Sequence, residues 1–192
     1  MKIIHVPHPL LRQVAQPITT VDKKLQELIK DLETTLQETT NPQGVGLAAP
    51  QINTSRRLFA TYLPVDPSDE NAPSVMRVFI NPEIIEDSGD NTFGPDEDNP
   101  FLEGCLSIPR LYGPVPRLSS LRLRFDVVQG SELVSMTESF ADFAARVVQH
   151  ELDHLEGILF TDYSFKYDLP VFEGNSRNDK LVEIDKNLIT AF

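Results

Sequence analysis

The chain has 192 residues, 40% of them hydrophobic, which suits one domain with a substantial core and leaves little length for a second. Its 29 acidic residues outnumber 17 basic ones, and the net charge of −12 argues against a basic surface for nucleic acid or anionic membrane. No apolar run approaches the roughly 18 residues of a membrane span, residues 1–9 run into prolines where a signal peptide would have its apolar core, and the single Cys105 has no disulfide partner, so a soluble, cytoplasmic protein is expected.

Residues 2–6 form a short apolar run that reads as a strand, and Pro7, Pro9 and Pro17 keep the next segment irregular. Over residues 21–40, Leu25, Leu28, Ile29, Leu32 and Leu36 trace one helical stripe, with Thr20 as the cap and Pro42-Gln43-Gly44 as the stop. The opposite face, with Lys23, Lys24, Glu27, Lys30, Asp31 and Glu38, reads as solvated surface. This is a packing helix without chemistry.

Gly44-Val45-Gly46-Leu47-Ala48-Ala49-Pro50-Gln51 comes after it, a run of small residues that lets other backbone or a ligand come close. A tight turn feeding a strand is the competing reading. Strands are expected over 57–62, 75–80 and 83–86, and loops over 64–72 and 87–100 on their Pro, Asp, Asn, Ser and Gly content. The second loop carries Asp87, Asp90, Asp96, Glu97 and Asp98, but their spacing does not fit a calcium loop. Cys105 comes next, on what reads as a strand or extended edge. Three prolines and a glycine make 108–116 a loop, and residues 121–128 and 133–137 form a hairpin about Gln129-Gly130-Ser131-Glu132.

The next helix carries the chemistry. Phe143, Ala144, Val147, Val148, Leu152 and Leu155 recur at helical steps and Gly157 is the stop. His150 and His154 then stand one turn apart on one face, able to grip a single metal ion, while Glu151 is rotated about a quarter turn and can reach a water on that ion. Two core histidines flanking a solvated glutamate are the alternative. Past Phe160 the passage with Pro170 and Gly174 reads as loosely structured, and residues 180–188 as a short helix or a docked extended tail.

A catalytic metal site of this kind generally has three protein ligands and an open position. Three routes to the third ligand exist. The sixth position beyond His154 is Phe160, which removes one metallopeptidase pattern. Glu173 keeps another metallopeptidase open, although its surroundings do not look helical. Cys105 is the third route, a soft thiolate supplied from a separate element.

The segment 44–51, Glu103-Gly104-Cys105-Leu106-Ser107 and Gln149-His150-Glu151-Leu152-Asp153-His154 resemble, position by position and in order, the three signature segments of the peptide deformylases. Val115-Pro116-Arg117 and His154-Leu155-Glu156-Gly157-Ile158-Leu159-Phe160 extend the resemblance, which spans most of residues 1–163.

The resemblance implies a hydrolase that removes the formyl group from the N-terminal formyl-methionine of new polypeptides. Its divalent metal is usually Fe(II), with Zn, Ni or Co able to take the site. It implies Cys105, His150 and His154 as ligands, Glu151 as general acid/base for metal-hydroxide attack, and Gln51 with the backbone N–H of Leu106 on the oxygen of the attacked carbonyl. Helical spacing puts Phe143, Arg146 and Val147 on the metal-facing side, where similar enzymes hold the methionine side chain, and Val45 and Gly46 would pair with peptide backbone. A metallopeptidase using Glu173 and a non-catalytic, metal-stabilised binding module remain as alternatives.

The fold expected is α+β in one domain, 1–192: a central helix bearing the two histidines among small antiparallel or mixed sheets, with the amphipathic N-terminal helix outside. The tail from about 166 has no place in that picture. Partners expected are N-formyl-methionyl nascent peptides, with neither nucleic acid nor membrane, and the protein is expected to be a monomer. Ribosome docking is not expected, since in residues 175–192 Arg177, Lys180 and Lys186 are balanced by Asp179, Glu183 and Asp185. The acidic loop before Cys105 is expected to border the cleft.

Overall fold

Period-two alternation builds the larger sheet. In the computed structural model, which describes all residues except 41–42, 67–68, 70–71, 97, 177–179 and 190–192, Leu121, Leu123 and Phe125 are buried while Arg122 and Arg124 between them are exposed. The strands, in chain order, are β1 (Gly46–Ala48), β2 (Leu58–Pro64), β3 (Ser74–Asp87), β4 (Asn91–Thr92), β5 (Leu102–Cys105), β6 (Ile108–Pro114), β7 (Arg117–Leu118), β8 (Ser120–Gln129), β9 (Glu132–Ala141), β10 (Val171–Glu173) and β11 (Val182–Ile184). They form a five-stranded sheet in the order β1-β2-β3-β8-β9, a four-stranded sheet in the order β11-β10-β6-β5, and the small pair β4-β7, with every ladder antiparallel. The helices are α1 (Lys23–Glu38), α2 (Asp142–Leu155) and α3 (Phe160–Lys166). Among the described residues no helix is long and apolar enough to cross a membrane.

Helix α2 packs Ala145, Val148, Leu152 and Leu155 against Phe59, Phe79, Leu123 and Phe125 of the larger sheet. Phe59 and Phe79 stack at 4.8 Å and are fully buried, each contributing about 1.5–3 kcal/mol through removal from water. On the same sheet α1 places Leu25, Leu32 and Leu36 against Leu47, Leu58 and Ile80. The third apolar cluster lies under the smaller sheet, where Ile108, Leu111, Val115, Phe160, Val171 and Ile189 meet.

Helix α2 stops as its sequence implies. Ile158 N–H donates to Asp153 O at 2.9 Å and Gly157 N–H to His154 O at 3.4 Å, a Schellman ending that needs Gly157 at φ 72°. Helix α1 is capped differently from expectation. The Asp22 carboxylate, not Thr20, accepts Leu25 N–H at 2.8 Å; Pro42 of the expected stop lies outside the described residues.

Four other expectations give way. Residues 2–6 form no strand ladder, being pinned only singly by Ile4 N–H to Gln51 O and Val6 N–H to Ser107 O. Residues 75–80 and 83–86 belong to one strand, β3, whose register shifts between Ile80 and Glu83. The expected loop 108–116 contains strand β6, and the passage after Phe160 opens with α3 and continues into β10. The tail is docked and extended: β11 pairs with β10 and a 3-10 turn, Lys186–Ile189, buries Ile189. Within the loop 87–100, β4 is tied to β7; Glu97, like Arg177 and Asp179 of the tail, is outside the described residues.

Candidate metal centre

One turn of α2 separates His150 from His154, and their rings stand 5.0 Å apart at 80°. Cys105, the last residue of β5, faces them, with Sγ 3.2 Å from His154 Nε2. One donor atom from each of Cys105, His150 and His154 falls within 4.8 Å of the other two, bringing a strand of the smaller sheet to a helix packed on the larger one. That is the spacing one small cation needs to touch all three.

The carboxylate that orients the site is Glu103. Strand periodicity puts it on the same face as Cys105, two residues on. Its Oε2 lies 3.0 Å from His150 Nδ1, which leaves Nε2 of that ring for the convergence point. Arg117 grips Glu103 with two hydrogen bonds of 2.9 Å, Arg146 adds a third at 2.8 Å, and Arg117 also reaches Asp153 at 2.6 Å. Burial alone would raise the Glu103 pKa, but the Arg117 charge and its hydrogen bonds override it and hold the carboxyl well below the usual range. The site is therefore built around a fixed buried anion.

Burial is the largest influence on the histidines too. It pushes His154 well down, helped by His150 and Arg117, which favours the neutral imidazole. For His150 burial is outweighed by hydrogen bonding to Cys105 and Glu103, and its pKa is raised well above the ordinary value.

Glu151 is 3% exposed, and burial pushes its pKa up to about 7. It lies close against β1. A Cβ placed on Gly46 would stand 2.3 Å from Glu151 Oε1, so only glycine leaves room for this carboxylate. Gln51, from the 3-10 turn Ala49–Ile52, is fixed at both ends. Its Oε1 accepts Ala48 N–H at 2.8 Å, which orients the NH₂ toward Ser107 Oγ at 3.3 Å and Cys105 Sγ at 3.6 Å.

Cys105 and His150 border a cavity of about 610 Å³, and His154 is set more deeply. Gln51, Leu106, Glu151, Val45, Gly46, Phe143, Arg146 and Val147 line it as well. Phe101, next to the acidic loop, completes one wall by packing on Phe143 at 5.5 Å. Arg146 differs from its apolar neighbours: its guanidinium turns inward to Glu103, Val115 O and Thr92 O. Glu103, Arg117, Asp153 and Tyr163, all in contact, are given no role by the sequence motifs alone. Glu103 is nonetheless detectable by strand alternation from Cys105, as Arg146 is from its place four residues before His150 on the helix, the spacing that led to its expectation at the cavity.

A cysteine sulfur and two imidazoles beside a buried carboxylate and a fixed amide donor define a class, the mononuclear metal-dependent hydrolases. Residues 1–168 match the polypeptide deformylase family. Peptide deformylases are also the chain's relatives: that of Rhodopirellula baltica is 39% identical over 175 residues, 91% of this chain and 78% of the relative, and that of Pseudothermotoga lettingae is 39% identical over 183 residues, 95% and 91%. Among solved structures, the Met-Ala-Ser-bound class I type b peptide deformylase of Acinetobacter baumannii superposes with a TM-score of 0.69 at 32% identity, covering 85% of this chain and 97% of its own. A plant peptide deformylase gives 0.70 at 32%, covering 85% and 79%.

This chain belongs to the peptide deformylase family, enzymes that remove the N-formyl group from nascent polypeptides. The two competing readings end here. A non-catalytic module does not fit an enzyme family, and Glu173, the metallopeptidase ligand, sits on β10 paired with Arg110 at 3.1 Å, outside the converging donor group.

Proposed function

We propose that Cys105, His150 and His154 hold the divalent cation of a deformylase, with Fe(II) as the native ion and Zn, Ni or Co as functional substitutes. The residues present suit such an ion. Three donors converge, His150 is held by Glu103 through its far nitrogen, and Glu151 Oε2 is buried with no partner, as expected of a group that meets a water brought by the metal. When bound, the cation supplies Lewis acidity, lowering the pKa of a water to about 7 and polarising the formyl oxygen.

The remaining steps fall to side chains of the chain itself. Glu151, pushed up to about 7 by burial, takes the water's proton as the oxygen attacks the formyl carbon and delivers it to the departing amine. Negative charge develops on the former formyl oxygen, where the Gln51 NH₂ and the Leu106 N–H donate; removing one such donor typically costs about 10²–10³ in kcat. Phe143 and Val147 form the apolar wall for the methionine side chain, and Arg146 braces that wall through its inward contacts.

Val45 and Gly46 take the substrate backbone. Among the described residues β1 is an edge strand, with β2 as its one neighbour in the sheet, so an extended peptide has a strand to pair with. Helix α2 is then the metal-binding helix, and 1–192 works as one catalytic domain on nascent formyl-methionyl chains, as a cytoplasmic monomer.

The convergence of Cys105 with the two histidines carries this proposal. Purified protein loaded with Fe(II) or Ni(II) is expected to release formate from formyl-Met-Ala-Ser, while Cys105→Ala binds no stoichiometric metal by elemental analysis. Full metal occupancy in Cys105→Ala would overturn the ligand assignment even if the wild type is active.

A further inference from the structure

Beyond residue 168, where the family match ends, the chain adds two strands to the smaller sheet. β10 pairs with β6 through Phe172↔Tyr112 and Glu173↔Leu111, and β11 pairs with β10. Val171 and Ile189 anchor this extension in the core beneath. After β10 the chain turns at Gly174, whose N–H donates to Arg110 O at 3.0 Å. Asn175 and Ser176 then line the same cavity as Cys105, His150 and Glu151. A segment that contributes none of the three donors thus forms part of the substrate cavity.

Arg110 is the centre of this wall. It holds φ 68° inside β6, a left-handed conformation unfavourable for a residue with a Cβ, and it is fixed there by the Gly174 hydrogen bond and by Glu173 at 3.1 Å. Arg110 is among the residues that line the cavity, whereas Glu173 is outside the lining. The Arg110 side chain is 61% exposed, while the guanidinium of Arg146, the other arginine of the cavity among the described residues, is bound inward to Glu103 and two carbonyls. On a chain of net charge −12, this presents an exposed arginine, paired with Glu173, to an incoming peptide.

We propose that Arg110, held from behind by Glu173 and flanked by Asn175, forms a subsite that reads the residues following the formyl-methionine and favours an acidic side chain there over a basic one. The preference rests on the formyl-peptide hydrolysis above, and it acts through charge: a substrate carboxylate competes with Glu173 for the guanidinium, while a lysine meets like charge.

The test uses full-length, Ni(II)-loaded protein and four peptides: formyl-Met-Asp-Ser, formyl-Met-Lys-Ser, formyl-Met-Ala-Asp and formyl-Met-Ala-Lys. The readout is the Asp-to-Lys ratio of kcat/KM at each position. Loss of folding or of metal lowers both members of a pair together and cancels in that ratio. Arg110→Gly removes the guanidinium and accepts the same φ; the ratio at one position is expected to fall about three- to fivefold, the size of an exposed ion-pair contact. Glu173→Gln frees the guanidinium, and the ratio there is expected to rise. Ratios equal to wild type at both positions in Arg110→Gly would overturn the subsite, whereas a wild type that releases no formate from any of the four would overturn the activity beneath it.

Discussion

At Glu151 burial opposes ionisation, and with a pKa near 7 the carboxyl is ready both to accept and to return a proton at neutral pH. Replacing it by glutamine keeps its shape beside Gly46 and removes only the proton exchange. Glu151→Gln is expected to retain its metal by elemental analysis and to lose formate release by about 10²–10⁴-fold or more; a variant with above a tenth of wild-type turnover would sink the acid/base role. Glu103 acts one step back, through His150. Glu103→Ala takes the shared carboxylate from two buried guanidinium groups, so an unfolding loss of about 3–5 kcal/mol is expected. It also frees the His150 ring, and metal affinity by competition with a chelator should weaken about 10–100-fold. A stability loss with unchanged metal affinity would make Glu103 a structural residue alone.

Glycines at two element ends separate stability from function. Gly157 closes α2 at φ 72°, and a Cβ there would stand 2.7 Å from the Arg12 backbone. Gly157→Ala should cost about 1–3 kcal/mol, read as a Tm fall of about 2–10 °C for a chain of this size. At the mouth of β1 the same substitution, Gly46→Ala, displaces the Glu151 carboxylate, so turnover should fall more steeply than Tm. Equal behaviour of the two in both measurements would remove the distinction. The elements were readable where one periodicity ran unbroken. Helix α2 shows its stripe from Phe143 to Leu155 with a glycine stop, and β8 with β9 shows alternation about a short turn. Strand β6 was hidden because Pro109 falls where the pairing with β5 is irregular and Pro114 ends the strand, the places in a sheet that tolerate proline. Helix α3 was obscured by its brevity, one Asp162 carboxylate accepting Leu159 N–H being its main local signal. The motifs exposed the donors, but not the Glu103–Arg117–Asp153 network, whose members are far apart in sequence and joined only by the fold.

Across the whole molecule, the proposed ligands belong to different cores. His150 and His154 ride on α2, which is packed into the Phe59–Phe79–Phe125 cluster of the larger sheet. Cys105 ends β5 and packs against the cluster of Ile108, Phe160 and Val171 under the smaller one. A cation shared by the three would link the two sheets, and since the unfolded chain scatters its ligands, metal binding should stabilise the fold as a whole. At a free concentration about 1,000 times Kd the linkage is about 4 kcal/mol, worth a Tm rise of about 8–16 °C at this chain length. Adding Ni(II) to chelator-stripped protein is expected to produce that shift in a thermal melt, and the shift should shrink sharply in Cys105→Ser, in which a neutral hydroxyl replaces the thiolate. A melt unmoved by Ni(II) would mean that the convergence of thiol and imidazoles does not bind the ion tightly enough to join the sheets. A full shift retained in Cys105→Ser would place the ion on α2 alone, without the smaller sheet.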